Sequence, residues 1–257
     1  MRSLVPSTVV GLLFVSPMVS GLSSSEQQEL VDRHNHHRRN LAKGLAKDKD
    51  GTALDQAADM TEMVWDQSLA DQVQSYLDGA CSGSGMVAHD SSLKNIGENI
   101  AAGKPTIGVQ AAVDNWYSEL SVKPGKWCAD NILTWTCFSQ PDGTVGHVTQ
   151  VLWAKSKQLG CADIMCGEYR NVMCRYSPGG NIIGTHIYKA GPAASECTHY
   201  YQDNNDGLCT GEPRECVNAY GGSPSNCDYW KSKNYCNEQY VSWMKKNCYK
   251  TCSGCTE

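Results

Sequence analysis

The octapeptide GHVTQVLW, residues 146–153, stands in an acidic chain of 257 residues that carries 14 cysteines. His147 follows a glycine, two β-branched residues come next, and the run closes on Trp153. It matches no hydrolase signature. On its own residues His147 reads as a catalytic base, a metal ligand or a buried structural histidine, and the surrounding chain has to decide between them.

Working outward, three segments upstream carry the three- and four-residue spacing of helices. Ser25-Glu26-Gln27-Gln28 has the form of a capping box and opens a helix through Leu30, Val31, His34 and Leu41. Trp65, Leu69, Val73, Tyr76, Leu77 and Ala80 form a second apolar face, and Val109, Ala112, Val113, Trp116 and Leu120 a third. The polar stretch from Asp48 to Asp59 reads as a loop. Two short strands, Gly160 to Ala162 and Asn171 to Tyr176, are expected around Cys166-Gly167. Helices with a few strands and no βαβ alternation predict an α+β layered domain ending near residue 190.

Arg2 followed by the short apolar run Leu4 to Val15 and small residues up to Gly21 reads as a secretory signal over residues 1–21, too short to span a bilayer. The even cysteine count, all beyond that segment, suits a secreted, extracellular, disulfide-bonded protein. Residues 22–215 carry 16 basic and 24 acidic side chains, which excludes nucleic acid as a partner for the body. Residues 216–255 instead hold five lysines against Asp228 and Glu238, a charge of +3 suited to an acidic surface. Between them, residues 191–215 read as a cysteine-containing hinge, with turn chemistry in Asp203-Asn204-Asn205-Asp206-Gly207. The six cysteines of the tail imply a segment too small for an adequate apolar core and held by covalent staples.

Four stretches in order resemble the CAP superfamily of cysteine-rich secretory, venom-antigen and plant pathogenesis-related proteins: His34-Asn35-His36-His37-Arg38, Gly97-Glu98-Asn99-Ile100, GHVTQVLW, and Cys174-Arg175-Tyr176-Ser177-Pro178-Gly179-Gly180-Asn181. The resemblance covers roughly residues 25 to 185 and implies a CAP domain over 22–190. Val148 stands where the family usually has an aromatic residue, and Asn171 where it is usually apolar. Cys216-x10-Cys227-x8-Cys236-x11-Cys248-x3-Cys252-x2-Cys255 is similar to the ShKT module, placing a small helical ShKT-like domain at 216–255. Channel-blocking members carry a Lys-Tyr pair where this chain has Val241 and Ser242, so channel block by the isolated tail is not expected.

The resemblance implies an α-β-α sandwich with a shallow cleft lined by His89, Glu98, Glu119 and His147. Imidazoles and carboxylates suit a borderline divalent cation such as zinc; a hydrogen-bonded network shaping the cleft floor is the alternative. Helical spacing sets His34, His36 and His37 about 100° apart, so they cannot share one ion; His34 and Asn35 are expected to tie down the first helix, with His36 and His37 on the surface. The resemblance also implies the pairs Cys81–Cys166, Cys161–Cys174, Cys128–Cys137, Cys216–Cys255, Cys227–Cys248 and Cys236–Cys252, which leaves Cys197 with Cys209.

For function, the resemblance favours extracellular binding of a membrane or other extracellular protein, an ion channel being the most concrete target. Two rivals accompany it: a metal-dependent hydrolase working in the cleft, and a sterol or lipid carrier. The chain has no HExxH or GxSxG motif, and full pairing leaves no thiol nucleophile. Thr149 and Ser118 are the remaining candidate nucleophiles near His147.

Overall fold

The computed structural model describes residues 21–253 apart from 84, 123–127, 141–142, 198–200, 203–205, 211–217, 219, 221–222, 237–239, 241–243 and 245–246. Residues 1–20 of the expected signal segment 1–21, part of the hinge, the Val241/Ser242 positions and the Cys216–Cys255 pair lie outside the described residues.

Helix α1 (Ser24–Ala42) is capped two residues before the expected capping serine, Ser25. Ser23 is the cap: the Glu26 backbone N–H donates to its Oγ at 3.3 Å, and its own N–H donates to the Glu26 carboxylate at 3.0 Å. A charged N3 acceptor at the positive end of the helix outcompetes the neutral Gln28 amide, which instead donates to Asp32. Strand β1 (Val64–Trp65) precedes α2 (Gln67–Ala80). Trp65 therefore belongs to the sheet, because Asp66 accepts the Leu69 N–H at 3.0 Å and fixes the helix start after it. Then come β2 (Gly97–Gly103), α3 (Val109–Ser118) running into a 3-10 turn at Glu119–Val122, and α4 (Trp135–Phe138). The ribbon β3 (Ser139–Gln140) and β4 (Gly143–Thr144) leads into α5 (Gly146–Val151), so GHVTQV is one short helix despite its β-branched pair. The hairpin β5 (Gln158–Cys166) and β6 (Tyr169–Ser177) extends well beyond the two short strands expected.

The sheet order is β1-β5-β6-β2, parallel between β1 and β5 and antiparallel elsewhere. On one face Val73 and Leu77 of α2 pack on Ala162 and Met173. On the other, Leu30, Trp116, Val148 and Val151 from α1, α3 and α5 cover Leu159, Val172 and Tyr176. The result is an α-β-α sandwich. Each fully buried Leu, Val or Met side chain contributes about 1.5–3 kcal/mol. Gly160 allows α2 its close approach, since a Cβ there would stand 2.3 Å from the Ala70 nitrogen.

Disulfides Cys81–Cys166, Cys128–Cys137, Cys161–Cys174 and Cys197–Cys209 staple the domain, and Cys227–Cys248 and Cys236–Cys252 the tail. Much of the expected hinge is fastened down. Leu208 is buried in the main core, Asp206 pairs with Arg39, and Cys209 exchanges backbone hydrogen bonds with Met60 and Glu62. Its other end forms the ribbon β7 (Tyr201–Gln202) with β8 (Cys209–Thr210). An apolar leucine among turn residues is what anchors this segment to the domain. In the tail, α6 (Pro224–Ser232) and the turn of helix Tyr249–Ser253 surround Cys227, Cys236, Met244 and Cys248, with Tyr220, Trp230 and Tyr235 against them.

Candidate functional site

Strand β2 is the edge of the sheet, and the two faces of the sandwich meet around it. In the β2–β6 register Glu98 lies opposite Arg175, and Asn99 opposite Cys174. Alternation sends Asn99 toward α1 and α5, where it is buried, while Glu98 points to the α2 side. Helix α5 is pressed against this edge: a Cβ on Gly97 would stand 1.9 Å from Oε1 of Gln150. That approach brings His147, on α5, beside the strand.

The structure brings the four sequence-derived cleft residues together as two pairs. His147 donates from Nδ1 to Oε1 of Glu119 at 2.6 Å, while Oε2 of Glu119 accepts the backbone N–H groups of His147 and Val148, both at 3.0 Å. Glu119 thus caps α5 from the end of α3. His89 donates from Nδ1 to Oε1 of Glu98 at 2.9 Å, and the same oxygen accepts the Asp90 N–H at 3.0 Å. The other Glu98 oxygen accepts from Nε of Arg175 at 3.1 Å, and Nη2 of Arg175 reaches Asp90 at 2.7 Å. The two imidazole centroids lie 6.5 Å apart, and His147 stacks on Trp116 at 6.4 Å. The Glu98 and Arg175 side chains are each 4% exposed, whereas His89 is 56% exposed.

With Nδ1 donating to a carboxylate in each case, the neutral form of each ring presents Nε2 as its lone-pair nitrogen. Both glutamates have their oxygens occupied and serve to orient the rings. This is the carboxylate–histidine arrangement that supports metal ligation. Among the described residues no three His, Cys, Asp or Glu side chains converge as a ready-made ion site. Two imidazoles on one tetrahedral zinc place their centroids about 5 Å apart, given Zn–N bonds of about 2.0–2.1 Å. The rings therefore fit such an ion after closing by roughly 1.5 Å, a movement open to the exposed His89.

The remaining motif residues build the scaffold. His34 donates from Nδ1 to the Leu30 carbonyl at 2.7 Å and accepts from the Tyr176 hydroxyl at 2.9 Å. Asn99 in turn donates to the Tyr176 oxygen and to the His147 carbonyl, both at 3.1 Å, so α1 is wired to the cleft through one buried chain. Asn35 locks the Met63 backbone. His36 is exposed, but His37 is buried, correcting its expected surface position: it bonds Asp114 at 2.7 Å and stacks on Tyr117 at 3.8 Å. Burial pushes the His37 imidazole down to about 4 and His34 to about 3, so both are neutral at pH 7 and the Asp114 contact is a hydrogen bond from a neutral imidazole to a carboxylate rather than an ion pair. Thr149 donates to the Val145 carbonyl and to Asn181, and Ser118 to the Asn115 carbonyl, so both hydroxyls hold the backbone and loop rather than face His147.

Sequence reasoning assigned no role to Arg38 or Arg175. Arg38 is fully buried and donates to the carbonyls of Thr61, Val151, Trp153, Ala154 and Ser156 and to the Thr61 hydroxyl. Burial lowers it to about 9, and the carbonyl oxygens stand in for a carboxylate. Arg175 interrupts the apolar run Val172-Met173-Cys174, and a charge inside a strand that reads as core was the available signal.

The family profile described as the cysteine-rich secretory protein family, CAP, matches residues 31–176. The chain belongs to the CAP family. An ShK domain-like profile matches residues 215–255, so the CAP protein carries a C-terminal ShK-like module. Ancylostoma secreted protein of Ancylostoma caninum is 29% identical over 195 residues, which are 71% of this chain but 43% of that protein, so the chain spans less than half of that relative. Scoloptoxin SSD558 of Scolopendra dehaani is 28% identical over 222 residues, 81% of this chain and 100% of the toxin. Among solved structures, that of NaASP2 with Zn2+ matches with a TM-score of 0.62 at 30% identity over 74% of this chain and 97% of that one. Na-ASP-1 matches with a TM-score of 0.64 at 27% identity, over 80% of this chain and 52% of that one.

Proposed function

We propose that this CAP protein is secreted and acts by extracellular binding, with a cleft that takes one zinc-like divalent cation on Nε2 of His89 and His147. The observation that carries the reading is the pair of imidazoles, each fixed at Nδ1 by a carboxylate, across one cleft. The similar NaASP2 structure with Zn2+ supports the choice of ion. Glu98 and Glu119 position the rings, and water completes the shell. When bound, the ion supplies a Lewis-acidic anchor for an oxygen or nitrogen of a partner.

Binding is favoured over hydrolysis because both carboxylates are saturated by hydrogen bonds and neither nearby hydroxyl faces His147. The tail supplies the second contact: Lys231, Lys233 and Lys250 are exposed, as are Tyr229 and Tyr240, and Lys233 lies over the Tyr229 ring, cationic and aromatic groups suited to an acidic membrane protein such as an ion channel. Calorimetric zinc titration of the mature protein tests the cleft. One site is expected, abolished by His147→Ala and by His89→Ala with circular dichroism unchanged. No heat, or both variants binding like the parent, overturns the reading.

A further inference from the structure

Beside the cleft, on the outer side of α2, runs an open groove of about 520 Å³. It shares Asp90 and Arg175 with the surroundings of His89, but its walls are otherwise independent of the ion site. We propose that this groove binds neutral carbohydrate.

The chemistry of the lining carries the assignment. Arg175 reaches the groove from a side chain that is only 4% exposed, with Nε on Glu98 and Nη2 on Asp90. Its Nη1 donors have no partner among the described residues. Across from it, two successive turns of α2 present Ser68, Gln72 and Ser75, exposed hydroxyls and an amide that both donate and accept. Asp71 adds a carboxylate acceptor, while Asp90, whose oxygens already accept from Ser92 and Arg175, holds the guanidinium in place. Vicinal sugar hydroxyls need such a set: one hydroxyl donates to a carboxylate while its neighbour accepts from a guanidinium or amide.

Tyr76 supplies the flat apolar element. Its hydroxyl donates to the Ala88 carbonyl at 2.9 Å and the Arg175 guanidinium lies 5.4 Å from its ring centroid, so the ring is fixed before a ligand arrives. A rigid aromatic wall takes the C–H face of a pyranose at little entropic cost. The volume lies within the range of small-ligand sites, about 300–1,000 Å³. Charge argues for a neutral ligand. The Arg175 cation is already matched by Glu98 and Asp90, and Asp71 leaves the groove acidic, which repels sulfated or carboxylated glycans. An extended peptide fits poorly, because the helical wall has no open backbone donors to pair with a strand.

Saturation-transfer difference NMR on the full chain, without added metal, tests this against maltose, cellobiose, mannobiose and diacetylchitobiose, with a sulfated heparin disaccharide as the anionic control. At least one neutral disaccharide is expected to receive saturation at millimolar concentration. Ser75→Tyr, which fills the groove from an exposed helix position, should weaken it at least ten-fold, and Gln72→Ala by a smaller factor, with the thermal melt unchanged. Silence from every neutral sugar, binding unaffected by Ser75→Tyr, or a response to the sulfated disaccharide alone would each overturn the proposal. Loss of zinc binding in the His147→Ala protein leaves this measurement unaltered, so the two readings fail separately.

Discussion

Replacing Glu119 with glutamine separates orientation from ligation in the cleft. The wild-type carboxylate accepts three hydrogen bonds, from His147 Nδ1 at 2.6 Å and from two backbone N–H groups at 3.0 Å. In Glu119→Gln the amide oxygen can still accept the backbone pair that caps α5, so the helix keeps its start. The amide NH2 then faces His147 Nδ1, and two donors cannot bond. The ring resolves the conflict by moving its proton to Nε2, which removes the lone pair that an ion needs. Losing such a supporting carboxylate costs about 10- to 100-fold in metal affinity, or roughly 1.4–2.7 kcal/mol. Zinc calorimetry measures the affinity, and nitrogen-15 NMR of the imidazole reports the tautomer. An unchanged zinc affinity together with an unprotonated Nε2 in Glu119→Gln would refute the reasoning.

Other outcomes follow from the buried charges. Glu98→Gln should lower stability more than Glu119→Gln, because it leaves the 4%-exposed Arg175 with Asp90 as its only carboxylate; urea midpoints compare the two. Arg38→Met removes one donor from each of five buried carbonyls, of which Trp153, Ala154 and Ser156 keep another, and should cost at least about 3 kcal/mol, read as a drop in urea midpoint with disulfides intact. The depressed His34 and His37 make the fold acid-sensitive. Below about pH 6.5 the unfolded chain takes up protons that the folded chain refuses, so stability falls with pH down to about 4 for His37 and about 3 for His34, at up to about 1.4 kcal/mol per pH unit for each. A urea midpoint constant between pH 6 and 4.5 would contradict this.

Much of the scaffold is legible in the sequence where burial follows a period. The stripes of α1, α2 and α3 are strong because one face of each helix packs on the sheet. Strand β2 is not legible: Gly-Glu-Asn-Ile-Ala-Ala-Gly has little β propensity, and its pairing with β6 and the packing around it make it a strand. Helix α5 is likewise set from outside, by the Glu119 cap and by core contacts of Val148 and Val151. His37 looked like a surface residue because its partners, Asp114 and Tyr117, lie more than 70 positions away. The cleft is the extreme case. Glu119 and His147 are 28 positions apart, and only the family pattern placed them together before the structure did.

The central claim is that two oriented imidazoles, and not the glutamates or any thiolate, hold the ion. X-ray absorption at the zinc edge on the full chain loaded with one equivalent measures this ligand set directly. The account predicts two imidazole nitrogens at about 2.0–2.1 Å with oxygen from water in the remaining positions, and loss of the imidazole multiple-scattering signal in His147→Ala. A spectrum with sulfur at about 2.3 Å, or one dominated by carboxylate oxygen and insensitive to His147→Ala, would contradict it.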